Sequence, residues 1–211
     1  MLVSELEHFH HAYAQGGTPP WDIGRPQPAI VEAGRRGWVR GAVLDAGCGT
    51  GEHALYFAAA GHDVTGVDVV PAAIERAAAK ARERGLAHPP RFVIADLLAQ
   101  PEALGASTFE TVIDMGFFHT LSDEERLVWR DRLGRLLLPA GRYVMECFSD
   151  LVPGTFGPRH VSEAEIRATF SAEAGFRVAE LERAGIESNR DDAVTTIPGW
   201  LALIERQHPS G

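Results

Sequence analysis

The residues best placed to do chemistry lie between Asp45 and Gly51. Asp45-Ala46-Gly47-Cys48-Gly49-Thr50-Gly51 sets three alternate glycines behind a short apolar run, Val43-Leu44-Asp45, and ahead of a helical stretch that begins at Glu52. Glycines there let the backbone bend sharply and bring bare N–H groups up to a ligand at a helix start. Asp68 closes the next apolar run, seventeen residues beyond Gly51, where a carboxylate can accept both hydroxyls of a ribose. Turn and acid together indicate a nucleoside, and the spacing indicates its charge. Dinucleotide-binding turns place glycines first, third and sixth; here they stand first, third and fifth with Asp45 in front. That carboxylate would face a pyrophosphate unfavourably and a cation favourably. No G-x-x-x-x-G-K-[ST] run is present to hold a nucleoside triphosphate. A phosphate-free, cationic nucleoside satisfies these constraints, and S-adenosylmethionine is the ligand expected.

Methyl transfer from a sulfonium is an in-line displacement, so a protein that performs it chiefly holds donor and nucleophile together in a dry pocket. The run Asp114-Met115-Gly116-Phe117-Phe118-His119 is expected to face that pocket. Phe117 and Phe118 could stack on a planar acceptor, and His119, with an ordinary pKa of about 6.5, could take a proton from a phenol, thiol or ring nitrogen. The competing reading makes both phenylalanines core residues and His119 structural. Tyr13 and Phe9, on a leading segment, are candidate substrate contacts if that segment closes as a lid; an amphipathic helix docked on the core would bury them equally well. His8, His10 and His11 lack a carboxylate or cysteine placed to complete a shell, so no metal site is expected. Cys48 has no adjacent base to activate it and is small enough to pack within the glycine turn.

These residues need a scaffold that brings strand ends together. Val43–Asp45, Asp63–Asp68, Phe92–Ala95, Phe109–Asp114 and Tyr143–Phe148 have the composition of buried strands. Helices are expected from Glu52 to Ala60, stopped at Gly61, and from Pro71 to Arg84, stopped at Gly85. Two capping boxes, Ser122 to Glu125 and Ser162 to Glu165, open helices expected to run through Leu137 and to about Ala174. The last apolar stretches, Phe176 to Ile186 and Trp200 to Arg206, have no helix between them and suit an antiparallel pair. Strands alternating with helices give an α/β doubly wound seven-stranded sheet, mostly parallel with an antiparallel C-terminal pair and helices on both faces. Ligands of such sheets sit beyond the strands' carboxyl ends, where strand order reverses.

The 211 residues carry 20 Lys+Arg against 29 Asp+Glu, a formal charge of −9, with 45% hydrophobic residues. A chain of this size buries about 70% of its unfolded surface and suits one domain, here residues 1–211, with a leading segment 1–28 and a core 29–211. Two cysteines, Cys48 and Cys147, make no disulfide framework. With neither an export signal nor eighteen consecutive apolar residues, a cytoplasmic protein that does not engage membranes is expected, as monomer or homodimer. The acidic balance disfavours nucleic acid, and the basic cluster Arg76-Lys80-Arg82-Arg84 is expected to be a solvated helix face.

Val43 to Gly51, with Asp68, Ala95-Asp96-Leu97 and Asp114, resembles the Rossmann-like class I S-adenosylmethionine-dependent methyltransferases across roughly residues 30 to 206. The resemblance implies that Gly47, Gly49 and Gly51 line the methionine part and that Asp45 and Cys48 are among the cofactor-binding residues. It further implies that Asp68 binds the ribose, that Asp96 and Leu97 flank the adenine, and that Val69, Asp114 and Met115 are cofactor-binding; Asp96 as a helix N-cap is the alternative. Nucleic-acid amine methyltransferases resemble one another in a prolyl-prolyl-aromatic motif after the fourth strand, and it is absent here.

Upstream, Pro20-Trp21-Asp22-Ile23-Gly24-Arg25-Pro26-Gln27-Pro28 is similar to a segment of thiopurine, thiol and halide methyltransferases and of bacterial enzymes that methylate small heterocyclic toxins. In that group it folds over the cofactor, so Trp21 would meet the sulfonium and Arg25 the methionine carboxylate; Trp21 in the core is the alternative. The expectation is transfer to a small aromatic or heterocyclic acceptor at O, N or S, releasing S-adenosylhomocysteine. A thiol, thiopurine or halide methyltransferase is the nearer alternative, and a non-catalytic S-adenosylmethionine-binding protein the more distant one.

Overall fold

A computed structural model describes residues 3–14, 17–104, 108–155, 157–190 and 193–207. Seven strands, β1 (Ala42–Ala46), β2 (Asp63–Asp68), β3 (Arg91–Ile94), β4 (Phe109–Met115), β5 (Leu137–Phe148), β6 (Phe176–Arg190) and β7 (Ala193–Arg206), form one sheet in the order β3-β2-β1-β4-β5-β7-β6. The first five pair in parallel, and β7 lies antiparallel between β5 and β6. Strand order reverses between β1 and β4, so the crevice for a ligand opens above their carboxyl ends.

The helices are α1 (Val3–Ala14), α2 (Pro28–Arg35), α3 (Glu52–Ala59), α4 (Pro71–Arg84), α5 (Asp123–Leu136) and α6 (Glu163–Thr169). Both capping boxes form, with Ser122 and Ser162 each accepting from the backbone N–H of the glutamate three residues on. One core lies between the sheet and α5 and α6, where Trp129, Leu133, Ile166 and Phe170 meet Val112, Tyr143 and Met145. The other lies on the opposite face, where Ile30 and Ala33 of α2 and Ala54 and Phe57 of α3 meet Val43, Val64, Ile113 and Val144.

Three boundaries differ from the sequence reading. Helix α5 stops at Leu136 and β5 starts at once, so Pro139 and Gly141 lie inside a strand instead of between elements. The strand accommodates them with an irregularity: Ala140 takes φ 60° and the pairing with β4 shifts between Phe109 and Thr111. Helix α6 ends at Thr169, five residues short of expectation. The terminal hairpin is longer than expected, because the polar run 187–190 and the mixed run 193–199 continue the ladder between β6 and β7.

Candidate active site

The glycine turn after β1 has the conformation its composition requires. Gly47, Gly49 and Gly51 sit at φ 67°, 52° and 83°, the left-handed region that side chains avoid. A Cβ at Gly49 would lie 2.9 Å from the Tyr13 hydroxyl, and one at Gly47 would lie 3.1 Å from Phe117 Cβ. The turn is thus a close-fitting cradle bounded by two aromatic side chains. Asp68, at the end of β2, accepts from the Gly49 N–H at 2.8 Å on Oδ2 and from the Val70 N–H at 2.9 Å on Oδ1. Each oxygen keeps a further acceptor position, enough for two hydroxyls of one ribose. Burial raises the Asp68 pKa while these backbone bonds oppose the rise. Asp45 is buried beneath the turn, and its Oδ2 accepts from the N–H of Ala54, the third residue of α3, at 3.0 Å. Burial pushes its carboxyl up to about 8. Cys48 is buried, with its thiol pKa driven well up by desolvation, which leaves it inert.

The segment before α2 straps the turn down. Asp22 accepts from the Thr50 hydroxyl at 2.6 Å, Lys80 donates to the same hydroxyl oxygen at 2.7 Å, and Lys80 and Arg84 both bind Glu52 at 2.7 Å. His53 Nε2 accepts from the Gln27 N–H at 3.0 Å, and burial lowers the His53 pKa to about 4. The Gln27 side-chain amide bonds in both directions to the Glu187 backbone, at 2.8 and 2.9 Å, and the Asn189 N–H donates to Pro20 at 2.7 Å. Trp21 donates to the Tyr13 hydroxyl at 2.9 Å and packs edge-on against Phe9, while Arg76 holds the carbonyls of Tyr13 and Gly17. Helix α1 therefore rests on α4 with Tyr13 over Gly49. The basic face of α4 is not simply solvated as expected: Arg76, Lys80 and Arg84, one face at spacing four, anchor the covering segment. Arg25 is half-exposed and ion-paired with Glu187 of β6. Its charge is already balanced there, so its first role is to pin the strap rather than to grip a carboxylate.

Several residues after β4 have different surroundings from those expected. The Asp114 carboxylate is fully buried and saturated, accepting from the Phe117 N–H at 2.8 Å, the Phe118 N–H at 3.1 Å and the Tyr143 hydroxyl at 2.5 Å. Trp129 donates to that hydroxyl in turn, at 3.1 Å. Asp114 shapes the loop instead of touching a cofactor. Phe118 lies wholly in the core against Phe170 and Arg126, away from any acceptor. Phe117 stays half-buried beside Gly47, edge-on to Trp129 at 5.1 Å. His119 is also buried, and its Nδ1 accepts from the Phe148 N–H at 3.0 Å, which places its proton on Nε2. Burial and the nearby Arg126 charge lower its pKa to about 3. With one ring nitrogen occupied and the other protonated, His119 has no lone pair to serve as a base; it joins the loop to β5.

The match to known proteins agrees with this geometry. Residues 43–141 match the family model described as "Methyltransferase domain". A 2-heptyl-1-hydroxyquinolin-4(1H)-one methyltransferase of Mycobacteroides abscessus is 39% identical over 155 residues, covering 72% of this chain and 67% of that protein. A probable thiol methyltransferase of Arabidopsis thaliana is 30% identical over 135 residues, 64% of this chain and 58% of that one. A solved structure concerned with conversion of a disulfide bond into a thioacetal group during echinomycin biosynthesis superposes with a TM-score of 0.84 at 32% identity, covering 97% of this chain and 94% of that one. The chain belongs to the S-adenosylmethionine-dependent methyltransferases.

The methyltransferase cofactor supplies an electrophilic methyl group on a sulfonium, and the residues around the glycine turn fit it. The side-chain-free backbone of Gly47 to Gly51 would meet the methionine part, and Asp68 would offer acceptors for the ribose. Asp96 uses Oδ1 for the N–H groups of Leu98 and Ala99 at 2.8 and 3.2 Å, a turn that orients it while Oδ2 takes part in neither bond. Leu97 is buried and Met115 half-buried at the same rim. The residues missed from sequence are Asp22, Gln27, Thr50, His53 and Lys80, which close the strap, and the Trp129–Tyr143 pair behind Asp114. Spacing four along α4 was a visible signal for Lys80. The others meet partners remote in sequence, and no local pattern announces them.

Proposed function

We propose that this methyltransferase acts on a small planar aromatic or heterocyclic acceptor. The observation that carries this reading is the enclosure: α1 and the strap lie across the glycine turn, with Tyr13 over Gly49 and Phe117 beside Gly47. An enclosed aromatic wall accepts a flat, compact molecule and turns away a polymer. The basic residues that a nucleic acid would need on α4 are spent on Glu52 and on backbone carbonyls. The kinship to a hydroxyquinolinone methyltransferase supports the same acceptor class. The test is incubation with methyl-labelled cofactor and a panel of N-hydroxyquinolinones, phenols, azaheterocycles, thiols, thiocyanate and iodide, with products identified by mass spectrometry. Transfer to the ring compounds is expected; transfer to iodide and thiols alone would refute it.

A second reading, a thiol or halide methyltransferase, draws on the occupied Nδ1 of His119 and on the thiol-methyltransferase relative. An enzyme without a base at this loop suits nucleophiles that arrive already ionised.

A further inference from the structure

Resting on the small-acceptor reading above, we propose that Glu146 receives the acceptor's proton, and that the site thereby selects acceptors bearing a neutral O–H or N–H over anions. Glu146 lies on β5 with 0% of its surface exposed, and neither carboxylate oxygen has a hydrogen-bond partner. Its backbone is firmly held: its carbonyl accepts from the Gly116 N–H at 3.0 Å, and it pairs in register with Met115 on one side and Leu201 on the other. Native folds leave few buried polar groups unsatisfied, and an unpaired buried carboxyl of this kind suits a chemical role.

Its position indicates that role. Ala46, Asp114 and Met145 form one row across β1, β4 and β5. Glu146 is one residue beyond that row toward the carboxyl ends, level with Gly47 and two strand spacings away, about 10 Å. The methionine part of the cofactor would occupy the Gly47 end of that interval, and an acceptor lying over β4 would bridge the two. Its side chain shares the sheet face of Met115, which packs with Phe148, Ile186 and Ile197 into an apolar wall. Of the other acids and bases near the crevice, Asp114 is committed to Tyr143 and the loop, Asp45 to α3 and His119 to Phe148, while Asp68 and Asp96 lie beyond β1, at the ends of β2 and β3. The charged group facing Glu146 from β6 is Glu187, which Arg25 pairs from the strap. Burial, then the Glu187 charge, pushes the Glu146 carboxyl up to about 8, close to the working pH of an effective base.

The step balances in atoms and charge. As the acceptor's lone pair forms the new bond to the methyl carbon, the electron pair of the breaking carbon–sulfur bond goes to sulfur. The acceptor's O–H or N–H proton passes to the Glu146 carboxylate. One positive and one negative charge vanish together, leaving a neutral thioether and a neutral carboxylic acid in a desolvated site. Glu146 returns the proton to water when product leaves. An anionic acceptor would instead meet this carboxylate as a like charge.

The test compares wild type with Glu146→Gln and Glu146→Leu, using the N-hydroxyquinolinone of the panel. Expected for both variants are a loss of 100-fold or more in kcat/KM and at least tenfold weaker binding of the acceptor to S-adenosylhomocysteine-loaded protein. Affinity for S-adenosylhomocysteine itself should stay within twofold, and Tm should rise by about 2–5 °C as the buried carboxyl is relieved. A purely structural Glu146 would instead lower Tm when replaced. Turnover and acceptor affinity retained within threefold, or a fall in Tm, overturns the proposal for Glu146 alone. Wild-type transfer confined to iodide and thiocyanate overturns this proposal and the small-acceptor reading together.

Discussion

At Asp68 two backbone N–H groups share one carboxylate, which would also take the ribose in our reading of the site. Replacing Asp68 by Ala should weaken S-adenosylhomocysteine binding by about 1.5–3 kcal/mol, the scale of hydrogen bonds to a charged group, as read by calorimetry. Unchanged affinity would remove Asp68 from the site. At His119 the expectation runs the other way. His119→Asn keeps an acceptor for the Phe148 N–H and should retain turnover within about tenfold, while His119→Ala should cost about 1–3 kcal/mol of stability through the orphaned donor. Loss of all turnover in a well-folded His119→Asn variant would restore a chemical role to this side chain. The position of Asp68, at the end of β2 beside the glycine turn, was legible in sequence because one βαβ unit sets it. The fates of Asp114 and His119 were not, because Tyr143 and Phe148 lie 29 residues away in each case, on a neighbouring strand whose register no local pattern reveals.

The glycine turn and the strap act as one element. Gly49→Ala would place a methyl 2.9 Å from the Tyr13 hydroxyl on a backbone at φ 52°. It should cost about 1–3 kcal/mol of stability and reduce cofactor affinity more than tenfold, measured by thermal melts and calorimetry. Asp22→Ala removes the acceptor of the Thr50 hydroxyl and should speed S-adenosylhomocysteine dissociation by about tenfold, or about 1.4 kcal/mol, in stopped-flow chase experiments. An unaltered off-rate would separate the strap from cofactor retention. The Pro20-to-Pro28 segment stood out in sequence by its resemblance, but its attachment to Glu187 and Asn189 spans 160 and 167 residues and was invisible there. Element order was legible from alternating apolar runs and from the capping boxes. The ends of β5, β6 and β7 were not, because Pro139 and the polar hairpin tips look like loop until the neighbouring strands dictate otherwise.

Over the whole molecule, buried titratable groups set how stability varies with pH. Asp45, Asp114 and Glu146 are raised to about 8, 7 and 8, so the native state keeps protons that the unfolded chain releases near pH 4. Their contribution is full below that unfolded value and is lost as pH climbs through 7 to 8. His53 and His119, lowered to about 4 and 3, act oppositely: their contribution is present above about 6.5 and is lost as pH falls. The two sets oppose each other between about pH 4 and 6.5, and above that only the carboxyls remain. The ligand-free protein should therefore melt at progressively lower temperature from pH 6.5 to about 8, by about 1.4 kcal/mol per pH unit for each group still protonated in the native state, with Asp114 dropping out above about 7 and the slope vanishing above about 8. Glu146→Gln should flatten that slope, and a melting temperature that rises across this range would contradict the assignment.

The two-way bond between Gln27 and Glu187 also has a colloidal consequence. Strand β6 is the outermost in its direction, and Gln27 and Pro20 occupy the outward backbone groups of Glu187 and Asn189 that a foreign strand would otherwise seize. Any breathing of the strap that admits or discharges small molecules also unsheathes this margin. Product-loaded enzyme should then stay clear in solution during prolonged warm storage, while ligand-free enzyme turns turbid.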